Sequence, residues 1–493
     1  MTTSKTAFVS IALLCGLGFS VTACPASLDD RCANGACVSA TSQADGGGDV
    51  VDGGGDSAIP VDPCVDTPTD PKCLDEGSAL FVSAKADAAS ADGSRLHPFK
   101  TIGAGLAAVN GARKRVYVCE GDYVEKVSVQ ATVSILGGLA CDWMGKAANP
   151  RIAPAKGVAL SIVKGNGVVV TDMNVEGNAD PLVDGDSAIG IFVSESQGVL
   201  FRQVTVKAGA ATKGAIGADG DASPNHPGGL AASGLNTGTT AAAEAPSCGT
   251  CADATFSVGG KGAASGGTPI KGSAMPTVGG DNSGASGGSC VDGKPGAPGD
   301  AASAAQAAQA PGTPKATGWD SALSAKKGAN GNPGQGGGGG GSTAGNGGGS
   351  GGCGGCGGTG GAPGGNGGSS LGLLSFNSDV ALEDSALTAA AAGVGGNGGK
   401  GQDGQLRGGP GTGACLGGVG GYGAGGGGGG GGAGGHSAAI AHSGKAPTPK
   451  NCTLKHGLGG DLGMGGTKGA STGNAGATGN NGAKGLEADI LPL

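Results

Sequence analysis

Apolar residues in the middle of the chain follow a spacing that fits neither a helix nor one continuous strand. Val168, Val170, Met173 and Val175 stand at positions i, i+2, i+5 and i+7. Alternation at every second residue is typical of a strand with one buried face, and in this stretch two consecutive polar residues, Thr171 and Asp172, break it once. The pattern predicts two short strands joined at a corner, with their apolar side chains on the same side.

The same pattern returns further along the chain. Val199, Phe201, Val204 and Val206 repeat it directly. Residues 187–214 align with 369–396, where Ser385 interrupts the spacing, and 436–460 form a weaker third copy. Long Gly-rich insertions leave after equivalent strands, so we expect them to lie on one side of the repeated units.

The region before these repeats is predicted to contain both strands and a short helix. Residues 80–87 are typical of a strand, and 116–129 of a strand, a glycine turn and a second strand. Residues 97–109 predict a helix with Pro98 in its first turn and Ile102 and Leu106 on one face. A β-sandwich is the alternative for several short strands, but the hairpin turns that it requires are not found.

A resemblance to a known fold rests on this region. The stretch "LFVSAKADAASADGSRLHPFKTIGAGLAAVNGARKRVYVCEGDYVEKVSV", followed by "SILGGLACDW", resembles the first part of right-handed parallel β-helix, pectin-lyase-like proteins found among bacterial secreted lipoproteins. The resemblance implies an all-β fold with an N-terminal cap helix, interrupted by Gly-rich loops. Coils of such a fold take some 20 to 30 residues. That size would place Cys119 above Cys141, and we expect a disulfide between them.

Glycine dominates the insertions. The chain contains 115 Gly and 24 Pro among 493 residues, and 334–370 carry no large apolar side chain before Leu371. Such sequence favours flexible loops, whereas extended glycine strands packed backbone to backbone are the ordered alternative. Collagen is excluded because glycine does not hold every third position for long. In composition the insertions resemble secreted glycine-rich (PGRS-like) repeat proteins.

The N-terminus predicts export. A single basic residue, Lys5, precedes an apolar run that is too short to span a bilayer, as in a secretory signal. The run ends in Val-Thr-Ala-Cys24, which resembles the bacterial lipobox and implies lipidation of Cys24. Cleavage near Ala23 without lipidation is the alternative. Because Pro25 and not Asp follows the cysteine, the resemblance implies an outer-membrane lipoprotein at the cell envelope, with surface exposure left open.

Charge and composition divide the chain into parts. Residues 25–76 carry a net charge of −9, which is typical of a solvated tether, whereas 77–493 are neutral and give no reason to expect a nucleic-acid partner. The predicted parts are a signal peptide (1–23), an acidic disordered tether (24–77), the main β-helix (78–210), a Gly-rich insertion (211–368), a further coil (369–393), a second insertion (394–435), a last coil (436–460) and a Gly-rich tail (461–493).

Fifteen cysteines in an exported chain favour disulfides. Two local pairs are expected within the tether, Cys32 with Cys37 and Cys64 with Cys73. Two CxxC motifs, at 248–251 and 353–356, fit either tight disulfides within each motif or, as the alternative, one zinc site. The odd number of cysteines after removal of the signal predicts one unpaired or intermolecular thiol.

The sequence contains few candidate catalytic residues. Lyases and hydrolases of the pectin-lyase-like fold need carboxylates, often with Ca²⁺, together with a basic residue or a second acid. The candidates in this sequence are Asp172, Glu176 and Arg202. Asp180, Asp184 and Asp186 are typical of a turn. No nucleotide or metalloprotease motif is present, so no cofactor or metal is predicted, apart from Ca²⁺ in the event of such an enzyme.

Two main functions follow as hypotheses, and the sequence does not establish an enzyme. The first is a non-enzymatic envelope lipoprotein with a structural, adhesive or glycan-binding role. The alternative is a membrane-anchored polysaccharide lyase or glycoside hydrolase of pectin-lyase-like fold. A self-associating envelope component is a third possibility, suggested by the odd cysteine and the Gly-rich sequence. The expected partners are the membrane, through the lipid anchor, and extracellular polysaccharide or other envelope components.

Overall fold

A computed structural model of the protein describes residues 62–221, 231–251, 254–275, 290–321 and 325–493. The signal peptide (1–23), Cys24, the Cys32 and Cys37 pair and most of the tether lie outside these residues. None of the helices in the described ranges has the length and apolar character that crossing a bilayer requires.

Most strands belong to three parallel sheets, in each of which neighbouring strands come from successive levels of the fold. Sheet 1 consists of β1 (Ala79–Val82), β2 (Arg115–Cys119), β5 (Ser134–Leu139), β8 (Val169–Thr171), β11 (Val199–Arg202), β18 (Val380–Glu383) and β21 (Thr448–Lys450). Sheet 2 consists of β4 (Val127–Val129), β7 (Leu160–Val163), β10 (Ala188–Ser194), β17 (Ser370–Phe376), β20 (Ser437–Ser443) and β23 (Glu487–Pro492). Sheet 3 consists of β3 (Asp122–Tyr123), β6 (Arg151–Ile152), β9 (Asn174–Gly177), β12 (Thr205–Ala208), β19 (Ala386–Ala389) and β22 (Thr453–Lys455).

From β7 onward the chain visits sheets 2, 1 and 3 in turn, and we call each such set of three strands a round. The rounds are β7 to β9, β10 to β12, β17 to β19 and β20 to β22. Every strand pair in the three sheets whose register is known is parallel, as in β8 with β11 and β11 with β18. The protein is therefore all-β with parallel sheets, an arrangement compatible with a β-helix.

The apolar residues whose spacing predicts two strands and a corner are buried in the interior between the sheets. Val168 and Val170 precede the corner between β8 and β9, Met173 and Val175 follow it, and all four are fully buried. In register, Ile135, Val170, Phe201 and Leu382 form a buried column across sheet 1. Burial of each such side chain contributes about 1.5–3 kcal/mol.

Ser385 breaks the apolar spacing without leaving a polar group unsatisfied. Its hydroxyl accepts the N–H of Val204 (3.1 Å) and donates to the carbonyl of Glu383 (2.7 Å). Because both partners are backbone groups at a corner, the serine holds two neighbouring rounds together there.

The helix is shorter than the sequence predicts. Helix α1 spans Ile102–Ala107, with Thr101 as its N-cap accepting the N–H of Ala104 (3.1 Å). The carboxylate of Glu125 accepts the N–H groups of Ile102 and Gly103, which satisfies two further free donors of the first turn. The placement of Pro98 within the helix is wrong, because the neighbouring Phe99 is extended and hydrogen-bonded to the backbone of β1.

The described end of the tether, residues 62–77, packs on the outer face of sheet 1. Cys64 and Cys73 form a disulfide, and Val65 and Leu74 contact an outward-facing cluster that includes Tyr117. This segment also contains a 3₁₀ turn, Pro63–Val65. Asp62 accepts two hydrogen bonds from the Arg115 guanidinium, at 2.6 and 3.0 Å. A fixed, disulfide-closed segment therefore covers one sheet.

Cys119 and Cys141, which the coil length places above one another, are joined by a disulfide with Cα atoms 5.0 Å apart. The bond connects the end of β2 with the loop after β5, its neighbour in sheet 1. It therefore links two successive levels of the sheet.

The Gly-rich sequence is ordered in the described ranges, as extended strands that we call the glycine bundle. Its members are 211–221, 231–237, 291–308, 328–340, 348–368, 391–411, 417–435, 458–470 and 474–485. Every third residue of 348–368 donates its N–H to 417–435, as Gly355 does to Gly421 (3.0 Å). Carbonyls of 348–368 accept at the same interval from 328–340 and from 391–411. Polyproline II has the same period of three residues. These hydrogen bonds satisfy the backbone N–H and C=O groups of strands that belong to none of the three sheets.

Glycine is required in the bundle because the strands touch through their backbones. A Cβ atom on Gly357 would overlap the carbonyl oxygen of Gly331, and one on Gly360 would overlap that of Gly328. In the described ranges, the structure thus shows the insertions as extended glycine strands packed backbone to backbone, and not as flexible loops. Two short antiparallel hairpins accompany the first insertion, β13 (Phe256–Val258) with β14 (Ser273–Met275) and β15 (Thr313–Lys315) with β16 (Gly318–Asp320).

Disulfides in the Gly-rich region connect residues that are far apart in the sequence. Cys248 pairs with Cys353, Cys251 with Cys356, and Cys290 with Cys415. Disulfides within each CxxC motif and a zinc site are both wrong. Cys353 and Cys356 lie in the bundle strand 348–368, where three polyproline II residues rise about 9 Å, more than the Cα separation that a disulfide tolerates. Among the described residues, the cysteine with a free thiol is Cys452.

His436 lies where the bundle continues into β20. Its Nδ1 accepts the N–H of Leu486 (2.9 Å), and the Trp319 ring packs edge-on against the imidazole. The side chain is buried, and burial lowers the pKa of His436 to about 4. The neutral ring is thus the one that fits the folded protein.

Acid is expected to destabilise the protein through His436. In the unfolded chain the imidazole has a pKa of about 6.5, so between about pH 6.5 and 4 the unfolded state binds the proton more strongly. The free energy of unfolding should therefore fall as the pH drops through this window, by about 3 kcal/mol in total from this group. Urea unfolding of the parent and a His436→Gln variant at several pH values checks this. Parallel pH profiles would contradict it.

Candidate functional site

A polar groove with a volume of about 290 Å³ lies on the outside of sheet 1, where its strands end. Gly137 and Gly138 of β5 form its floor, together with Asp172 after β8 and Arg202 at the end of β11. The remaining walls come from the loop after β5 and from the tether segment 62–77, and their residues include Val65, Asp66, Pro68, Lys146, Ala147, Asn149 and Gln203.

A row of left-handed corners positions the groove. Gly138, Asp172, Gln203, Asp384 and Asn451 have φ angles of +71, +53, +54, +45 and +53°. Each of the middle three donates its N–H to the round beyond, as Asp172 does to the carbonyl of Arg202 (3.1 Å). Short polar side chains tolerate this conformation best, which explains the Asp and Asn residues. The corner that orients Asp172 is therefore a structural requirement of the chain.

Asp172 is half-buried beside the floor of the groove. A Cβ on Gly138 would lie 3.0 Å from the Cβ of Asp172, so the glycine allows the carboxylate to approach. Burial raises the pKa of Asp172, while a hydrogen bond to Thr171 and the charges of Lys146 and Arg202 oppose the shift. A carboxyl group with a raised pKa in a groove is a feature of acid–base sites and of buried structural acids alike.

Arg202 faces the same groove but is already paired. Its guanidinium lies 2.5 Å from Asp66 of the tether segment and 3.8 Å from Glu383 of the neighbouring strand. Lys450 approaches Glu383 at 4.0 Å, which extends the row of charges. A base that abstracts a proton must be free to accept it, whereas the Arg202 guanidinium contacts two carboxylates.

Glu176, the third candidate, lies outside the groove. It projects from β9 in sheet 3, where its carboxylate contacts Arg151 at 2.5 Å and Lys207 at 3.8 Å. The hydrogen bond from Arg151 holds the pKa of Glu176 below its ordinary value. Asp122 pairs with the same arginine, so this acid belongs to a row of ion pairs along sheet 3.

The aspartates of the predicted turn are also paired locally. Asp180 contacts Lys156 at 2.6 Å, and Asp186 accepts the N–H of Asp180 (2.6 Å). In the described part of the chain, no group of three or more His, Cys, Asp or Glu side chains could hold a metal ion.

Two groove residues are not predictable as such from the sequence pattern. Asp66 falls in the predicted solvated tether, although Val65 and Leu74 around it are apolar and the Cys64–Cys73 pair closes the segment. Those apolar residues next to the paired cysteines are the available signal for a packed segment. Lys146 carries no signal at all, because a single lysine in a loop is ordinarily solvated.

Replacing Asp172 by asparagine is expected to stabilise the protein at neutral pH. The pKa of Asp172 is raised in the folded state, so the folded protein holds this proton more strongly than the unfolded chain does. The free energy of unfolding therefore falls as the pH rises above about 3.9, the ordinary pKa of an aspartate. Asparagine keeps the corner and does not titrate. Urea unfolding should show a more stable variant at pH 7 and a difference within about 0.5 kcal/mol at pH 3. A less stable variant at pH 7 would contradict this.

Comparison with known proteins assigns the chain to no family, because no protein-family model, curated protein or solved structure matches it significantly.

Proposed function

We propose that this protein is a non-enzymatic structural protein of the bacterial cell envelope that holds a stiff glycine bundle at the cell surface. The observation that carries the proposal is the bundle itself. Backbone hydrogen bonds join its strands on several sides, and three disulfides tie Cys248, Cys251 and Cys290 to partners more than one hundred residues away. Such a body suits a mechanical or adhesive role in an oxidising compartment.

The scaffold of this function is a right-handed parallel β-helix of the pectin-lyase-like kind. Repeated rounds through sheets 2, 1 and 3 and the aligned corners support this architecture. Helix α1 packs against β1, β2 and β4, where sheets 1 and 2 begin, and this position supports a role as the N-terminal cap. Export and lipidation of Cys24 would place this body at the outer membrane. Incorporation of labelled palmitate, lost in a Cys24→Ser variant, tests the anchor.

The structural role predicts a phenotype for loosening the bundle. Cells expressing a Gly357→Val variant, in which the new side chain would meet the Gly331 carbonyl, should lose envelope integrity, measured as leakage of a periplasmic enzyme. Gly238→Val is the matched control, because a Cβ there has no atom within 4 Å. Equal leakage from both strains at equal protein levels would count against the proposal.

A polysaccharide lyase or hydrolase is the second candidate, and one observation favours it. Asp172 and Arg202 line the same groove. The ion pairs of Arg202 with Asp66 and Glu383 speak for a structural use of these residues instead. The groove could also hold a sugar without cleaving it, since it offers charged and amide side chains as hydrogen-bond partners.

Electrophoresis through gels cast with different polysaccharides, with and without Ca²⁺, separates these functions. Retardation without loss of polymer would indicate glycan binding. Clearing of polymer that disappears in Asp172→Asn or Arg202→Gln, but persists in the control Glu176→Gln outside the groove, would establish an enzyme. Unaltered migration in every gel would leave the structural role.

A further inference from the structure

One face of the glycine bundle consists of three neighbouring strands, 211–221, 391–411 and 458–470, which we call the bundle face. Gly214 donates to the carbonyl of Val394 and Gly395 to that of Asp461, both at 2.8 Å. The same bonds recur three residues later on every strand. The strand 391–411 is therefore the middle one, and all three keep a common register.

Side-chain contacts fix which residues share a row across this face. Asp219 accepts the N–H of Lys400 (2.7 Å), and Asn397 accepts that of Met464 (2.8 Å). With a period of three, the rows are Lys213–Val394–Asp461, Ile216–Asn397–Met464 and Asp219–Lys400–Thr467. Successive rows lie about 9 Å apart, which is the rise of three polyproline II residues.

The bundle face exposes large apolar side chains. Leu458 and Ile216 are 71% exposed, Met464 54% and Val394 46%. Leu458, Val394 and Ile216 belong to successive rows and to successive strands, so they form one diagonal stripe. Contiguous exposed apolar groups on a folded surface are characteristic of an interaction site.

The charges beside the stripe are complementary to one another. Lys213 and Asp461 stand at opposite ends of the row that has Val394 in its middle. Asp461 is 79% exposed, and its intramolecular contact is with Lys484 at 3.9 Å. Rotation of a second copy by 180° about the middle strand would bring each Lys213 to the other copy's Asp461. The same rotation brings Ile216 to the other copy's Met464 and Val394 to its own counterpart.

From this self-complementarity we infer that the bundle face binds a second copy of the chain, with a two-fold axis along 391–411. Ile216 then meets Met464, Val394 meets its own counterpart, and opposite charges meet at both ends of the Val394 row, as an isologous interface requires. Lys400 also lies on the axis and faces its own counterpart, while it keeps its ion pair with Asp403 at 3.2 Å. The two copies keep their strands pointing in the same direction. This inference is independent of the function proposed above.

Disulfide trapping tests the axis directly. In the mature full-length protein with Cys452→Ser, which removes the free thiol of the described residues, Val394→Cys should give a double-mass band on a non-reducing gel after mild oxidation. Lys294→Cys in the same background is the control, since that exposed residue lies on the bundle strand 291–308, outside the face. Equal trapping of both variants, or none at Val394→Cys, would overturn the inference.

A charge exchange tests the pairing without relying on cysteine. Lys213→Glu and Asp461→Lys should each weaken self-association about tenfold, measured by sedimentation velocity, and the double variant should restore it. Restoration separates a contact between copies from damage to the fold, which the second substitution would not repair. A parent protein that sediments as a monomer at every concentration, or a double variant as weak as the singles, would overturn the inference.

Discussion

Removal of both the Cys248–Cys353 and the Cys251–Cys356 disulfides is expected to lower the free energy of unfolding by about 7 kcal/mol, whereas removal of either alone should cost about 2.5 kcal/mol. Each bond closes a loop with a sequence separation of 105 residues. Because the two bonds close nearly the same loop, one suffices to restrict the unfolded chain, and the second adds only a small ring. The loss should thus be more than additive.

Urea unfolding of the two paired Cys→Ser variants and of the quadruple variant measures this coupling. Mass mapping of a non-reduced digest supplies the connectivity and should join a peptide containing Cys248 to one containing Cys353. Additive losses, or a peptide bridged between Cys248 and Cys251, would contradict the prediction.

Introducing a side chain at Gly357 is the second change with a large expected effect. Overpacking an ordinary core costs about 1–3 kcal/mol because neighbouring side chains rearrange. At Gly357 the obstacle is the carbonyl of Gly331, which is fixed by its own hydrogen-bonded strand. Gly357→Ala should therefore lower the free energy of unfolding by more than about 3 kcal/mol.

The control for this prediction lies in the same insertion. Gly238→Ala has open space around its new Cβ and should change stability by less than about 0.5 kcal/mol. Urea midpoints provide the comparison, and hydrogen exchange should show faster amide exchange along 348–368 in the Gly357 variant alone. Equal effects at the two positions would argue against backbone packing in the bundle.

The interior between the sheets could be predicted from the sequence because the apolar residues at the strand spacing are the residues that are buried there. Val170 and Phe201 are apolar at the spacing of two strands and a corner, and both are fully buried in register with one another. Local alternation and burial agree at these positions. The start of α1 was less predictable, since the extended pairing of Phe99 with β1 overrides the preference of Pro98 for a first turn.

The candidate site and the bundle depend on contacts between distant parts of the chain. Asp172 and Arg202 lie at the ends of neighbouring strands and could be placed near each other, but Asp66, the partner of Arg202, comes from a segment whose local composition favours solvent. The cross-pairing of Cys353 with Cys248 depends on the register of the glycine strand 348–368 against the segment that contains Cys248. Glycine has no side chain to specify that register, so the sequence pattern alone cannot supply it.

The backbone-to-backbone packing of the glycine bundle also determines how its stability responds to temperature. Unfolding raises the heat capacity in proportion to newly exposed apolar area and lowers it for exposed peptide groups. The strand 348–368 buries mostly peptide groups, whereas the interior of the sheets buries valine, leucine and phenylalanine. Melting of the bundle should therefore show a small heat-capacity change and steadily increasing stability on cooling. The sheets, in contrast, pass through a maximum of stability and weaken below it.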